Sequence, residues 1–224
     1  MGLDSIVGLT AFPALGEGAE GKFHFTKPGW PSQPPFEMQL ALMGRLFIAS
    51  NAAQETAEDI GDLAYVNTEP AICMDVPDGK VVIPLEIVLR QGGTVANATW
   101  TAFIALDTAV RITSGNAVTA RNYQVNTTQP RPSGVTIKKH SEAATALVCA
   151  ANTVDMTMMG GLYVHDVDVA TEFGHMIWTA KKYIAPILKG PASMAIHAYV
   201  ATAAPQAFWH MIWAEFDTSE LFTS

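Results

Sequence analysis

The chain has 224 residues, of which 49% are hydrophobic and 15% are charged, and its formal net charge is −8. A chain of this length buries enough surface to fold without disulfides or metals. The negative charge argues against nucleic-acid binding, because displacing counterions from phosphates requires a basic surface. The scarcity of charged residues favours a surface that is partly buried between subunits, since the cores of such interfaces are depleted in Lys, Glu and Asp.

Residues 1–36 differ from the rest of the chain, because closely spaced glycines and prolines interrupt them. Glycine raises the entropy cost of ordering and proline lacks a backbone donor, so neither a helix nor a strand is expected here. The segment nevertheless contains Phe23, Phe25 and Trp30, large apolar side chains that a disordered tail does not need. We therefore predict an extended N-terminal arm whose aromatic rings order against another surface. Its start has no basic region, so a secretory signal peptide is not predicted.

The arm contains a glycine-rich run, GEGAEGK at residues 16–22, that matches phosphate-binding loops only by its letters. Phe23 stands where such a loop needs a hydroxyl to bind magnesium. Pro28 interrupts the helix whose N-terminus would hold the phosphate, and two glutamates inside the run would repel it. Nucleotide binding is therefore not predicted.

From residue 37 onwards the pattern is that of short strands separated by turns. Residues 36–49 fit a strand or a short helix, with Gly44 favouring a bend, and residues 50–68 fit a loop or one surface helix. Alternating apolar and β-branched residues predict further strands, at 71–76, 80–90, 99–106, 118–125, 143–151 and 162–169. Gly79 follows the first of these in a turn that tolerates a positive φ, and Pro84 indicates a bend or an edge position in the second.

The last part of the chain is the most apolar. Residues 173–187 fit either a helix or a strand, and residues 194–201 and 207–216 are predicted to pair as a hairpin. Residues 190–214 contain no Asp, Glu, Lys or Arg, but prolines divide them into two short runs, so a membrane helix is not predicted. Both faces of the hairpin are apolar and need cover. We expect the opposing sheet on one face and a neighbouring subunit on the other.

Two histidines of this hairpin, His197 and His210, become cross-strand partners if the turn is centred on residues 203–204. The plain interpretation is a pair of half-buried imidazoles with satisfied hydrogen bonds. The alternative is a proton-sensitive contact, since imidazoles change charge near neutral pH and two imidazolium ions repel each other. Cys73 and Cys149 each lie in an apolar run and are interpreted as buried small side chains. The sequence leaves a disulfide between them open.

The best metal candidate is a cluster of acidic residues and histidines, His165, Asp166, Asp168, Glu172 and His175. Its spacing matches neither HExxH nor the HxH pattern of cupins. In a strand, His165 points away from Asp166 and Asp168, so one ion cannot easily collect all three. The GxSxG motif of one class of serine hydrolases is also missing. We therefore predict no metal, no cofactor and no enzymatic activity.

Eight or more short strands without long alternating helices predict an all-β sandwich or barrel. Two parts of the chain also carry a resemblance. The runs SIVGLTA, PALGEG and GKFHF, within residues 5–25, resemble the start of virion proteins of tailed bacteriophages. The end of the chain, from PILKGP at 186–191 to WAEF at 213–216, is similar to the closing strands of their single jelly-roll capsid-decorating proteins.

The resemblance implies a single jelly-roll β-sandwich at residues 37–224, preceded by the extended arm at residues 1–36. It implies a homotrimer on the capsid surface that binds the major capsid protein or neighbouring capsomers, with Phe23, Phe25 and Trp30 docking the arm. It brings no catalytic residue, and neither a membrane nor a nucleic acid is an expected partner.

Two alternatives compete with this structural role. The first is a receptor- or glycan-binding head of a virion, for which Trp100 and Tyr123 are the candidate exposed aromatic residues. The second is a cupin-like metal enzyme that uses His165 and His175.

Overall fold

A computed structural model of the chain describes residues 35–51, 55–92, 98–125, 131–140, 146–151, 157–167, 174–201 and 206–222. The predicted arm therefore lies almost entirely outside the described residues, and so do Phe23, Phe25 and Trp30. The described residues are mainly β-strands, with one short helix at each end, which confirms the all-β prediction.

The elements follow one another along the chain in a fixed order. They are α1 Phe36–Leu42, β1 Leu46–Ser50, β2 Glu58–Asp59, β3 Ile72–Val76, β4 Lys80–Gln91, β5 Ala98–Asp107, β6 Ile112–Ser114, β7 Asn116–Ala117, β8 Arg121–Asn122, β9 Thr136–Lys139, β10 Val148–Cys149, β11 Thr157–Val167, β12 His175–Thr179, β13 Leu188–Lys189, β14 Ala192–Val200, β15 Gln206–Asp217 and α2 Thr218–Leu221.

Two antiparallel sheets contain most of these strands. Sheet I has the order β12-β4-β15-β1-β8, with β13 beside β4 and β2 beside β15. Sheet II has the order β11-β5-β14-β3-β9-β7. The short strands β6 and β10 form a separate two-stranded ribbon.

The eight principal strands are connected as a jelly roll. In chain order they are β1, β3, β4, β5, β11, β12, β14 and β15, and the first pairs with the last, the second with the seventh, the third with the sixth and the fourth with the fifth. This is the pairing of one long hairpin. Additional pairing of β15 with β4 and of β14 with β5 rolls that hairpin into two facing sheets.

The core lies between the two sheets and is rich in tryptophan. Trp178, Trp209 and Trp213 from sheet I and Trp100 from sheet II are fully or almost fully buried in it. Alternation explains their placement, because every second side chain of a strand points to the same face. Along β15 the odd-numbered residues point into the core and the even-numbered residues point outward.

Most predicted strands are present, and several boundaries differ. Residues 36–49 contain both of the predicted alternatives, since helix α1 and strand β1 are joined at Gly44, which has a φ of 65°. Gly79 has the positive φ expected of its turn. Residues 173–187 contain the strand β12 rather than a helix, and residues 118–125 contribute only the two-residue strand β8.

The predicted hairpin of residues 194–201 and 207–216 is wrong. Strand β14 lies in sheet II, between β5 and β3, whereas β15 lies in sheet I, between β4 and β1. The two strands therefore pack face to face across the core instead of sharing a ladder. The second cover that we expected from a neighbouring subunit is supplied to β14 by this chain itself, because Tyr65 packs on the outward residues His197 and Tyr199.

Pro84 marks the largest irregularity of sheet I. The register of β4 with β15 shifts there, because Ile212 pairs with Glu86 while the next residue, Trp213, pairs with Pro84. Leu85 is the extra residue of a β-bulge, which a proline favours because it has no N–H to donate to the ladder. As a result, Leu85 and Glu86 both point to the outer face of the sheet.

Candidate functional site

The outer face of sheet I is covered at one end and open to solvent at the other. At one end, helix α1 lies on it and buries Leu40 against Leu46, Val81, Ala214 and Phe216. Beyond the bulge at Pro84 this cover stops. We call the uncovered part the open face, and its side chains project from β12, β4, β15 and β1; they are His175, Ile177, Glu86, Val88, Arg90, Phe208, His210, Ile212, Ile48 and Ser50.

The open face is concave. A hollow of about 550 Å³ lies between β4, β15 and β1, with Tyr123 at its rim. A second hollow of about 480 Å³ continues toward β12, and the two share Arg90 and Phe208. Both hollows are open to solvent and mainly apolar, with a few polar groups among the aliphatic and aromatic side chains.

Charges of both signs lie on this face. The Nε2 of His210 donates a hydrogen bond to Oε1 of Glu86 at 2.8 Å, and both side chains are partly exposed. The neighbouring Arg90 is exposed as well. An exposed pair of this kind contributes little to stability, because solvent screens it. It can nevertheless orient a partner that approaches the face.

On sheet II, by contrast, the chain's own segments cover the outer face of β5, β14 and β3, while the edge strand β11 exposes Leu162 and Val164. Tyr65 packs on Phe103, His197 and Tyr199 at ring-centroid distances of 5.4, 5.1 and 6.3 Å. The ribbon of β6 and β10 lies over β3, where the Asp75 carboxylate accepts hydrogen bonds from the backbone N–H groups of Arg111 and Ile112. We call these covering segments the lid of sheet II; they comprise residues 63–70, 108–114 and 146–150.

The predicted pairing of His197 with His210 is wrong. Since β14 and β15 belong to different sheets, His197 lies opposite Phe103, whereas His210 lies between Val88 and Ser50. His197 points outward from sheet II under the lid, and His210 points outward from sheet I on the open face. The sequence placed both residues in strands but could not show that the connection between them crosses from one sheet to the other.

His197 is a buried histidine held neutral by its surroundings. Its ring stacks on Phe103 at a centroid distance of 4.9 Å, and its Nε2 has no hydrogen-bond partner among the described residues. Burial, with a smaller contribution from the nearby Arg111 guanidinium, lowers its pKa from 6.5 to about 4. Both effects disfavour the charged imidazolium.

The structure describes only two side chains of the predicted metal cluster, those of His165 and His175. The rings of His165 and His175 lie 4.5 Å apart, and Nε2 of His165 donates to the backbone carbonyl of His175 at 2.7 Å. Asp168 and Glu172 lie outside the described residues, as does the side chain of Asp166. Among the residues whose positions are described, no group of three or more His, Cys, Asp or Glu side chains is arranged to hold a metal ion.

The two aromatic candidates for a glycan site, Trp100 and Tyr123, differ in how far they are buried. Trp100 is fully buried in the core, so the interpretation of this residue as an exposed stacking platform is wrong. Tyr123 is 40% exposed and lines the larger hollow. Sequence reasoning missed the partners of Tyr123 on the open face, Glu86, Arg90 and Phe208. The alternation of Phe208, His210 and Ile212 was the signal that could have placed them together.

Comparison of the chain with protein-family models, with curated proteins and with solved structures found no match. In the part of the chain that the structure describes, no helix is long and apolar enough to span a membrane.

The neutral state of His197 makes stability depend on pH. Its pKa is lower in the folded chain than in the unfolded chain, so the unfolded chain takes up the proton first and stability falls as the pH drops from about 6.5 toward 4. We expect this residue to account for a loss of about 2–3 kcal/mol between pH 7 and 4.5. Urea unfolding of the wild type and of His197→Phe at both pH values measures it, because phenylalanine keeps a ring against Phe103 and cannot titrate. An equal loss in both proteins would contradict the assignment.

Proposed function

We propose that this chain is a structural protein of a virus particle, a capsid-decorating or minor capsid jelly roll that binds the shell of a tailed bacteriophage and stabilises it without catalysing a reaction. The jelly roll supports this role, because capsid proteins are among its commonest users. Lectins and cupins share the fold, so fold alone does not decide the function. The choice among these functions depends on which parts of the protein surface are left uncovered.

The observation that carries the proposal is the unequal cover of the two sheets. The lid covers β5, β14 and β3 at the centre of sheet II, whereas β4 and β15 at the centre of sheet I have no such cover over the open face, and Ile177 on the neighbouring β12 is 40% exposed. The adjoining helix α1 also turns Met38 and Leu42 to solvent, at 54% and 55% exposure. Contiguous apolar patches on a protein surface mark sites where another macromolecule binds. A protein that works by shape and buried area needs such a patch.

We assign the open face to neighbouring copies of the same chain in a homotrimer. Glu86 and Arg90 place opposite charges on this face, so that one part of it can meet a differently charged part of the next copy, as the head-to-tail contacts of a cyclic trimer require. The low charged fraction of the chain fits a subunit whose surface is partly buried by others. The capsid shell would then be reached by the arm, which enters the described structure at Pro35, directly before α1.

A receptor- or glycan-binding head is the second candidate, favoured by the position of Tyr123 at the rim of the larger hollow. Aromatic rings beside polar groups are typical of sugar sites. A glycan array separates the two roles. The structural role predicts no specific signal, whereas a bound glycan whose signal disappears in Tyr123→Ala would favour the head.

The trimer interface is tested by placing a charge on the open face. We expect the wild type to have the solution mass of three chains and Ile177→Glu to associate roughly 10–100-fold more weakly, because an unpaired carboxylate would be buried at the contact. Val164→Glu is the matched control, since Val164 is 50% exposed on β11 of the other sheet. Light scattering over a concentration series measures both. A monomeric wild type, or an equal effect of both variants, would overturn the assignment.

The docking role of the arm is tested by deleting residues 1–34 while keeping α1. The truncated protein should fold, because the deletion removes none of the described core residues, which run from Leu40 to Phe216, and it should lose attachment to capsids that lack this protein. Phe23, Phe25 and Trp30 are the expected anchors, so replacing all three with alanine should have the same effect as the deletion. Co-sedimentation with capsids measures occupancy. Undiminished occupancy of the truncated protein would exclude the arm as the anchor.

A further inference from the structure

We propose that Cys73 and Cys149 are a site of covalent modification, where a low-molecular-weight disulfide converts the two thiols into one intramolecular disulfide. This inference goes beyond the structural role proposed above and does not depend on it.

The position of Cys73 is fixed by strand β3 of sheet II. Cys73 and Asp75 are two residues apart in the strand, so both point to the outer face of the sheet and toward the lid. Cys73 pairs in register with Ala195 of β14, a small residue that leaves room above the strand. Its Sγ lies 3.9 Å from Oδ1 of Asp75.

The position of Cys149 is fixed by the ribbon in the lid. Asp75 holds this ribbon by accepting hydrogen bonds from the N–H groups of Arg111 and Ile112, at 3.0 and 2.9 Å. In the ribbon, Ile112 is the register partner of Cys149. The residue that lies beside Cys73 on β3 therefore anchors the strand that pairs with Cys149. The two cysteines accordingly pack in one small buried cluster with Leu147 and Ala195.

Further hydrogen bonds hold the ribbon in place over the sheet. The N–H of Cys149 donates to the carbonyl of Thr68 at 2.8 Å, and the next residue, Ala150, donates to the carbonyl of Arg111 at 2.7 Å. The Arg111 side chain donates in return to the carbonyl of Ala150, through Nε at 3.0 Å and Nη2 at 2.8 Å. The position of Cys149 is thus fixed by hydrogen bonds of its own backbone and of the neighbouring Ala150, and none of these involves the Cys149 side chain.

The surroundings of Cys73 and Cys149 differ, and this difference decides which of the two thiols attacks the reagent. The hydrogen bond from Cys73, assisted by the positive charge of Arg111, lowers the pKa of Cys149, while the same contact and burial raise the pKa of Cys73. The thiolate is the reactive form of cysteine, and Cys149 lies on the surface ribbon whereas Cys73 lies beneath it on β3, so Cys149 is the sulfur that attacks first. Its neighbours Val148 and Ala150 are exposed, which places the ribbon at the surface where a small reagent arrives.

The reaction is two successive thiol–disulfide exchanges. The Cys149 thiolate attacks one sulfur of the small disulfide, which forms a mixed disulfide and releases one thiolate of the reagent. Cys73 then gives up its proton and attacks Sγ of Cys149, which releases the second thiolate of the reagent. In sum, two protein thiols lose two protons and two electrons, and one reagent disulfide gains them and becomes two thiols. The product would tie the lid to β3 and close the long loop between residues 73 and 149.

The experiment treats reduced, full-length protein with 2-hydroxyethyl disulfide, traps remaining thiols with N-ethylmaleimide in urea and measures the intact mass. We expect a mass lower by two hydrogen atoms, no maleimide adduct and a peptide that joins Cys73 to Cys149. The melting temperature should rise by roughly 5–15 °C, because a disulfide that closes a long loop restricts the unfolded chain. Dithiothreitol should reverse all of these changes.

The wild-type mass decides the outcome, and two variants assign the order of attack. Cys73→Ala should accumulate a mixed disulfide on Cys149, whereas Cys149→Ala should react much more slowly, since Cys73 is buried and its pKa is raised. Two maleimide adducts on the treated wild type would overturn the proposal. A stable mixed disulfide or a disulfide-linked dimer of the wild type would overturn it as well, because either would show that the two sulfurs do not meet.

Discussion

The β-bulge at Pro84 is the constraint on which the surface of this protein depends. Without an N–H at residue 84, β4 cannot continue its regular ladder with β15, and one extra residue is accommodated at Leu85. On the side of Leu85 the outward residues are covered by α1 and join the small cluster around Leu40. On the side of Glu86 they are open to solvent. The border between the covered and the open part of sheet I therefore coincides with one proline.

This division connects the fold to the proposed assembly. Pro35, the first described residue, lies at the covered end of the sheet, and the open face lies beside it on the same surface. A neighbouring copy on the open face and a capsid reached by the arm would thus occupy adjacent parts of one sheet. The opposite side of the molecule, under the lid of sheet II, would remain turned away from both contacts.

The sequence predicted what depends on local pattern and failed where distant strands decide. Alternation and turn glycines were sufficient to locate β3, β4 and β5, and Trp100, Trp209 and Trp213 were correctly assigned to strands, whereas the segment of Trp178 fitted either a helix or a strand. The pairing of residues 194–201 with 207–216 was wrong, because a short connection between two apolar strands fits a hairpin and a crossing between sheets equally well. The error displaced His197 and His210 to opposite sides of the molecule. The approach of Cys149 to Cys73 was equally invisible, since Asp75 creates it through contacts with residues 111 and 112.

The two outer faces of the sandwich also respond to different changes, one to acid and oxidation and the other to the binding of a partner. The buried groups that chemistry can change all lie at the lid of sheet II: His197, with its lowered pKa, and Cys73 lie under it, and Cys149 is part of it. The open face of sheet I carries partly exposed polar groups among apolar ones, so contact with a partner changes mainly their burial. Groups on opposite outer faces, separated by the tryptophan-rich core, share no direct partners, and changes at such distant sites usually have additive effects. Acid or oxidation should therefore alter the stability of the subunit through the lid while leaving the shape of the open face intact.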